Sequence, residues 1–143
     1  MNQNLIVEKT IMINRPRDDV WRVLTEPYYL KQYLYGADLV TDWVVGRSVR
    51  FRGQFQGHMW EDKGVVLACE PPRRLQYSYY SGSCGLDDRP EHYATVTYQL
   101  DEAGGGTKLT VRQQGYASEE SRNNSERGWE DILAKIKPLA ETS

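Results

Sequence analysis

The chain of 143 residues contains few of the residue types on which several protein classes depend. Its two cysteines, Cys69 and Cys84, are too few for a disulfide framework, so we expect free thiols in a reducing, cytoplasmic location. Cys69 is expected to be buried in a strand and Cys84 exposed in a loop. A catalytic metal site needs three protein ligands, whereas the only histidines are His58 and His92. We therefore expect no metal and no cofactor.

The chain also lacks a marked excess of one charge sign and lacks long apolar runs. The 18 Lys and Arg residues are mixed with 20 Asp and Glu residues along the chain, for a net charge of −2. No stretch is basic enough for a nucleic-acid surface or for an anionic membrane. The apolar runs are far shorter than the roughly 20 residues that span a bilayer, and the N-terminal residues lack a signal-peptide pattern. We expect no nucleic-acid partner and no membrane insertion.

Phenylalanine is scarce, but the other aromatic residues are not. The chain has two Phe residues against 10 Tyr and four Trp residues. A tyrosine ring is apolar, yet its hydroxyl needs a hydrogen-bond partner when it is buried. An excess of Tyr over Phe therefore favours surfaces that are partly accessible to water, such as the lining of a pocket. The alternative for any single ring is an ordinary half-exposed position in a sheet.

The apolar pattern predicts mostly strands. Weak alternation over Leu5–Ile13 indicates a first strand, and two short helices follow, over Arg17–Leu24 and Tyr28–Leu34. From Leu39 onward the apolar period changes to two, which is typical of strands. Six further strands are predicted near Leu39–Thr41, Arg47–Gly53, Met59–Cys69, Arg74–Tyr80, His92–Leu100 and Thr107–Gln113.

A long amphipathic helix is predicted after the last strand. Its apolar residues recur at three- and four-residue spacing, which places them on one stripe that should face the sheet. Ser118 is a plausible N-cap, although the weak helix formers that follow also allow a start near Asn124. Pro138 predicts that the helix kinks or ends near Lys137. The stripe consists of Trp129, Ile132, Leu133 and Ile136.

Four segments, in this order, resemble one known group of proteins: Ile11–Thr25 (IMINRPRDDVWRVLT), Gly46–Gly53 (GRSVRFRG), Gly64–Tyr77 (GVVLACEPPRRLQY) and Gly106–Tyr116 (GTKLTVRQQGY) with Gly128 and Trp129. The chain resembles the Bet v 1/START-like (SRPBCC) superfamily, and within it the group named for the activator of Hsp90 ATPase. The resemblance implies an α+β helix-grip fold, in which a curved antiparallel sheet wraps around a long C-terminal helix and two short helices follow the first strand. It covers nearly the whole chain, and we expect residues 1–143 to form a single domain.

The fold implied by the resemblance leaves a cavity between the sheet and the helix. Strand alternation and the helical stripe turn a set of mostly aromatic residues toward it, although filling of the core is the alternative for each. Relatives often have tryptophan where Tyr33 and Tyr35 stand and histidine where Gln113 stands, so their ligand preference is not transferred. The ligand-binding candidates are Tyr33, Tyr35, Trp43, Phe51, Phe55, Trp60, Tyr77, Tyr79, Gln113 and Trp129.

Three functions remain open at this point. The first is non-enzymatic binding of a hydrophobic or aromatic small molecule, and the second is a cyclase- or lyase-like reaction in the same cavity. The third is protein interaction, either as a chaperone cofactor or as a homodimer. An enzyme requires a titratable group inside the cavity, whereas an interaction module requires an exposed patch. The acid–base candidates are His92, Glu61, Arg112 and Arg122, and we interpret them as solvated surface charges.

Overall fold

The described residues form an antiparallel sheet and three α-helices. The computed structural model describes residues 1–81 and 85–142. The strands are β1 (Asn2–Ile13), β2 (Asp38–Val40), β3 (Ser48–Phe55), β4 (His58–Glu70), β5 (Arg74–Ser81), β6 (Ala94–Ala103) and β7 (Gly106–Tyr116). The helices are α1 (Arg17–Thr25), α2 (Pro27–Tyr33) and α3 (Glu119–Glu141), with a short 3₁₀ turn at Pro90–His92.

The strand order is β1-β7-β6-β5-β4-β3-β2. Strands β2 to β7 therefore follow one another as a meander, and β1 joins the sheet beside β7. The β1–β7 register pairs Val7 with Gln113 and Ile13 with Thr107. With two short helices after β1 and the long α3 at the end, the helix-grip α+β fold is confirmed.

The core lies between the inner face of the sheet and α3. On β7, Leu109 and Val111 are buried whereas Arg112 is exposed, as the alternation predicts. The α3 stripe is buried too, with Trp129 and Ile136 at 7% and 0% exposure. The prediction that this stripe faces the sheet is confirmed. No helix of the described residues is long and apolar enough to cross a membrane.

Helix α3 begins at Glu119, so the later start near Asn124 is wrong. The Ser118 side chain caps the helix by accepting a hydrogen bond from the Ser121 N–H at 3.1 Å. Arg122 adds a tertiary hydrogen bond between α3 and β1, because its Nε donates to the Ile6 carbonyl at 2.9 Å. These two contacts stabilise the start of the helix, ahead of the weak helix formers Asn123 and Asn124.

Helix α3 also continues past Lys137 to Glu141, so the predicted end near Lys137 is wrong. Pro138 removes one N–H from the helix, but contacts with the β1–α1 connection hold the last turn. The Asn14 N–H donates to the Glu141 carboxylate at 2.8 Å, and Arg15 donates to the Glu141 carbonyl at 2.9 Å. Local propensity is overridden here by tertiary hydrogen bonds.

Cys69 is half-buried rather than fully buried, which corrects the expectation of a core residue. The register of β4 against β5 shifts between Val66 and Ala68, and this irregularity interrupts the alternation before Cys69. Cys69 is a free thiol whose pKa is raised by desolvation. The expectations for Cys84 fall outside the described residues.

Candidate ligand-binding site

A cavity of about 440 Å³ lies between the inner face of the sheet and α3. This volume is within the range of roughly 300–1,000 Å³ that is typical of small-molecule sites. Strands β3 to β7 supply one wall and α3 supplies the other. The described lining consists of Met1, Leu34, Tyr35, Phe51, Trp60, Asp62, Tyr77, Tyr79, Ser81, Leu86, His92, Ala94, Val96, Gln113, Gly115, Tyr116, Ala117, Ser121, Ser125, Gly128, Trp129 and Ile132.

Seven of the ten candidate residues line this cavity. Four of them come from the neighbouring strands β3, β4 and β5, one from β7, one from α3 and one from the segment after α2. Tyr35 is 60% exposed, and its hydroxyl donates to Asp131 on α3 at 3.1 Å. The seven are Tyr35, Phe51, Trp60, Tyr77, Tyr79, Gln113 and Trp129.

The other three candidates lie outside the cavity. Tyr33 is buried in the core, where its hydroxyl donates to the Leu24 carbonyl at 2.8 Å. Trp43 packs behind Tyr77 with ring centroids 6.1 Å apart, and its indole N–H donates to a main-chain carbonyl of α1. Phe55 is 67% exposed because β3 extends beyond the body of the sheet before its turn. None of these three residues is among the described residues that line the cavity.

Gln113 and Trp129 connect the two walls of the cavity. The indole Nε1 of Trp129 donates to the Gln113 side-chain oxygen at 2.9 Å. The Trp129 ring also meets Tyr98 edge-on, with centroids 6.0 Å apart and planes at 81°. These contacts fix the orientation of the indole, so that one part packs on the core and another borders the cavity.

The position of Trp60 depends on a glycine across the sheet. Gly53 of β3 is paired with Trp60 of β4. A β-carbon at Gly53 would lie 2.2 Å from a carbon of the indole ring, which is closer than any real contact. The absence of a side chain at Gly53 therefore lets the Trp60 ring lie flat over the neighbouring strand.

Asp62 is a lining residue that was not among the candidates. It is paired with Phe51 on β3, and it accepts a hydrogen bond from the hydroxyl of Tyr79. Alternation could have found it, because Asp62 is two residues after Trp60 and so shares its face of β4. The cavity thus has a carboxylate in a largely aromatic wall.

Tyr77 in the cavity wall and two core tyrosines, Tyr33 and Tyr98, are all buried. Burial raises the pKa of Tyr77, Tyr98 and Tyr33, and each hydroxyl influences the pKa of another in the group. The charge of Asp62 raises the pKa of Tyr77 as well. All three phenols are therefore neutral near pH 7, including that of Tyr77, which lines the cavity.

Only one of the four acid–base candidates borders the cavity. His92 lines it, and its Nδ1 lies 2.7 Å from the Asp87 carbonyl oxygen. Glu61 lies on the opposite face of β4, where hydrogen bonds from Arg52 and then Arg50 lower its pKa. Arg112 and Arg122 are not part of the lining. Across residues 1–81 and 85–142, no cluster of three His, Cys, Asp or Glu residues could hold a metal ion.

Fold and cavity together define a helix-grip protein of the SRPBCC type. The family model described as "Activator of Hsp90 ATPase homolog 1-like protein" matches residues 14–141. The chain therefore belongs to the activator of Hsp90 ATPase homolog 1-like family. No curated protein matches the chain significantly.

Solved structures support the same assignment. A solution structure from Cytophaga hutchinsonii is 32% identical, with 99% of this chain and 97% of that chain covered and a TM-score of 0.84. A crystal structure from Chromobacterium violaceum is 21% identical, covers 96% and 98% and has a TM-score of 0.83. The Aha1 dimer from Colwellia psychrerythraea is 16% identical, covers 95% and 96% and has a TM-score of 0.74. The last two show likeness of fold alone.

Proposed function

We propose that the protein binds a hydrophobic or aromatic small molecule in this cavity without chemical conversion. The observation that carries the proposal is a space of about 440 Å³ walled by aromatic rings, with a few polar groups among them. That combination of an apolar wall and a small number of polar groups is the usual make-up of a ligand site. Domains with this fold often bind ligands or resemble polyketide cyclases.

The sequence around the cavity supports a site rather than a packing defect. Protein cores are close-packed, and unfilled volume is destabilising because lining atoms lose contacts. Gly128 nevertheless lines the cavity from the middle of α3, although glycine is unfavourable inside a helix. A β-carbon at Gly128 would meet nothing within 4 Å. Space is therefore left open at a position where alanine would fit and would favour the helix.

A neutral fluorescent probe tests the proposal. N-Phenyl-1-naphthylamine should bind with increased fluorescence and should raise the melting temperature. At a hundredfold excess over its dissociation constant, a ligand stabilises the folded state by roughly 2.7 kcal/mol. Tyr79→Ala should weaken binding, because the Tyr79 ring lines the cavity. Tyr28→Ala is the matched control, since Tyr28 is 72% exposed and outside the lining.

The proposal fails if neither this probe nor a broad set of aromatic and lipid compounds shifts the melting temperature. It also fails if Tyr79→Ala and Tyr28→Ala change the affinity equally, because the site would then lie elsewhere.

An acid–base enzyme in the same cavity is the second candidate. It is favoured by one observation, the presence of Asp62 and His92 in the lining. Compounds recovered after incubation with the protein should keep their mass if the protein only binds them. A mass change that is lost in both Asp62→Asn and His92→Gln would favour a cyclase- or lyase-like reaction instead.

Self-association is a further candidate, favoured by exposed apolar side chains outside the cavity. Val65 and Leu67 share the outer face of β4, and Val44 and Val45 lie in the segment that hydrogen-bonds beside it. We expect light scattering to report a homodimer if this surface is covered by a second copy. Leu67→Ser should then give a monomer, and Met12→Ser, at an exposed residue on β1, should not.

A further inference from the structure

Gln113 places a carboxamide in an apolar row on the inner face of the sheet. Its strand neighbours in that row are Val7 on β1 and Val96 on β6, which are 0% and 1% exposed. Tyr77 on β5 is paired with Val96 and extends the row. Tyr77, Val96 and Gln113 all line the cavity. The carboxamide needs hydrogen-bond partners here, because an unpaired amide in an apolar setting is costly.

The indole of Trp129 fixes which end of this carboxamide is left for a ligand. The Trp129 Nε1 donates to the side-chain oxygen of Gln113 at 2.9 Å. An indole N–H can only donate, so the amide atom that it meets must be the oxygen and not the nitrogen. The reverse orientation would set two donors against each other. The NH₂ group of Gln113 is therefore the end that Trp129 does not use.

This NH₂ group is accessible from the cavity. It has no hydrogen-bond partner among residues 1–81 and 85–142. In that part of the chain, no side-chain nitrogen or oxygen atom is both sealed from solvent and without a partner. The strand neighbours of Gln113 are buried, so the open side of the NH₂ group is the cavity. The hydroxyls of Tyr116 and Ser125, which also line the cavity, bond each other at 2.7 Å instead.

The same row places an aromatic surface across the cavity floor from this donor. Neighbouring strands are about 4.8 Å apart, so the backbones at Tyr77 and Gln113, two strands apart, are separated by roughly 10 Å. The Tyr77 ring centroid lies 5.6 Å from that of Phe51, and both rings line the cavity. A flat ligand of one or two fused rings that lies over Val96 can therefore contact these rings and still reach the amide.

We propose that the natural ligand carries a carbonyl oxygen on an aromatic ring system, and that the Gln113 NH₂ group donates to this oxygen while the rings contact Phe51 and Tyr77. A neutral carbonyl suits this donor, because an uncharged amide does not compensate a buried carboxylate. Gln113 is then a residue that determines specificity, and Trp129 is its positioning residue. This inference rests on the proposed binding function and names its ligand class.

A pair of isosteric probes tests the inference. 2-Acetylnaphthalene has a carbonyl oxygen where 2-isopropenylnaphthalene has a methylene group. Competition against N-phenyl-1-naphthylamine measures both affinities, and their ratio is compared between protein variants so that the difference in hydrophobicity cancels. Gln113→Met keeps the length of the side chain and removes the donor. The ratio of ketone to alkene affinity should fall by about fivefold or more, because the ketone loses a hydrogen bond and the alkene no longer leaves an amide unpaired.

Two further variants attribute the preference to the oriented amide. Gln99→Met is the matched control, because Gln99 lies on the outer face of β6, where its amide donates to Asp101. It should leave the ratio unchanged. Trp129→Phe removes the indole that orients the Gln113 amide, so the ratio should fall, but by less than in Gln113→Met.

Infrared difference spectra of the isotope-labelled ketone give a readout on the parent protein alone. A carbonyl that accepts a hydrogen bond has a lower stretching frequency than a free one. The carbonyl stretch of the bound ketone should therefore lie below that of the ketone in hexane, and it should move back toward that value in Gln113→Met.

The outcomes separate this inference from the proposed function. An unchanged ratio in Gln113→Met, with the circular dichroism of the parent, would overturn the inference while probe binding still supports the function. An unshifted carbonyl stretch in the parent complex would also overturn it, even if Gln113→Met does not fold. If neither naphthalene displaces N-phenyl-1-naphthylamine although that probe binds, the inference fails alone. If none of the three compounds binds, both fail.

Discussion

At the scale of single residues, Trp129 joins the core, the cavity and the sheet. Its ring is 7% exposed, touches Tyr98 edge-on and donates to Gln113. The residue therefore serves both stability and the shape of the candidate site.

Replacement of Trp129 by alanine should lower the free energy of unfolding by roughly 3–5 kcal/mol, because transfer energy is lost and the cavity grows. Trp129→Phe keeps a buried ring but loses the hydrogen bond to Gln113. Its free energy of unfolding should therefore fall by only about 1 kcal/mol. Urea unfolding followed by circular dichroism measures both. An unchanged midpoint for Trp129→Ala would contradict the buried position of the ring.

Gly128 offers a prediction with two opposite effects. Gly128→Ala should raise the free energy of unfolding by up to about 1 kcal/mol, because alanine favours the helix and the new β-carbon meets nothing within 4 Å. The same methyl group should weaken probe binding, and Gly128→Leu should weaken it further. Thermal melts and probe titrations on the same samples measure the two effects. Tighter binding in Gly128→Leu would contradict a cavity at this position.

Single residues also show where sequence patterns fell short. Phe51 and Phe55 have the same alternation on β3, yet one is 1% exposed and the other 67%. Alternation gives the face of the sheet to which a side chain points, but it does not give the distance from the helix that covers that face. Phe55 lies beyond the part of the sheet that α3 covers.

At the scale of elements, the two ends of α3 are tied to β1 and to the β1–α1 connection. Arg122 reaches the Ile6 carbonyl at one end, and Glu141 receives the Asn14 N–H at the other. The hydrogen bond from Asn14 and then the contact with Lys137 lower the pKa of Glu141 below its ordinary value of 4.5. The charged form of Glu141 is thus the form that holds the last turn.

This lowered pKa predicts an acid dependence of stability. A carboxyl whose pKa is lower in the folded state contributes its full stabilisation above its ordinary pKa, and the contribution is lost as pH falls through the folded value. Glu141→Gln should therefore be less stable than the parent at pH 7, and the difference should shrink between pH 5 and pH 3. Urea unfolding across this range measures it. A difference that is independent of pH would show that the charge of Glu141 is not involved.

At the scale of the whole molecule, stability should be uneven across the sheet. Strands β1, β6 and β7 pair over long registers beneath α3, whereas β2 has three residues at the edge. The connection from β3 to β4 is exposed from Gln54 to Met59. Local opening is expected where few apolar contacts cover the backbone.

Hydrogen exchange followed by mass spectrometry should find the slowest amides in β6 and β7 and in the middle of α3. The fastest exchange among the strands should occur in β2 and at the tip of the β3–β4 hairpin. A saturating aromatic ligand should slow exchange in the wall strands β4 and β5 more than in β1, because β1 lies outside most of the cavity wall. Uniform slowing would indicate global stabilisation without a localised site.

The sequence by itself determined the order of the elements, the inner face of the sheet and the buried stripe of α3. These features depend on period-two and period-3.6 patterns, which are local properties of the chain. The tertiary structure decided how far α3 runs through Pro138, because hydrogen bonds from Asn14 and Arg15 complete its last turn. It also decided that Tyr33 fills the core while Asp62 borders the cavity. The distance of a side chain on the sheet from the covering helix α3 depends on how the two layers pack. No local sequence pattern encodes that distance.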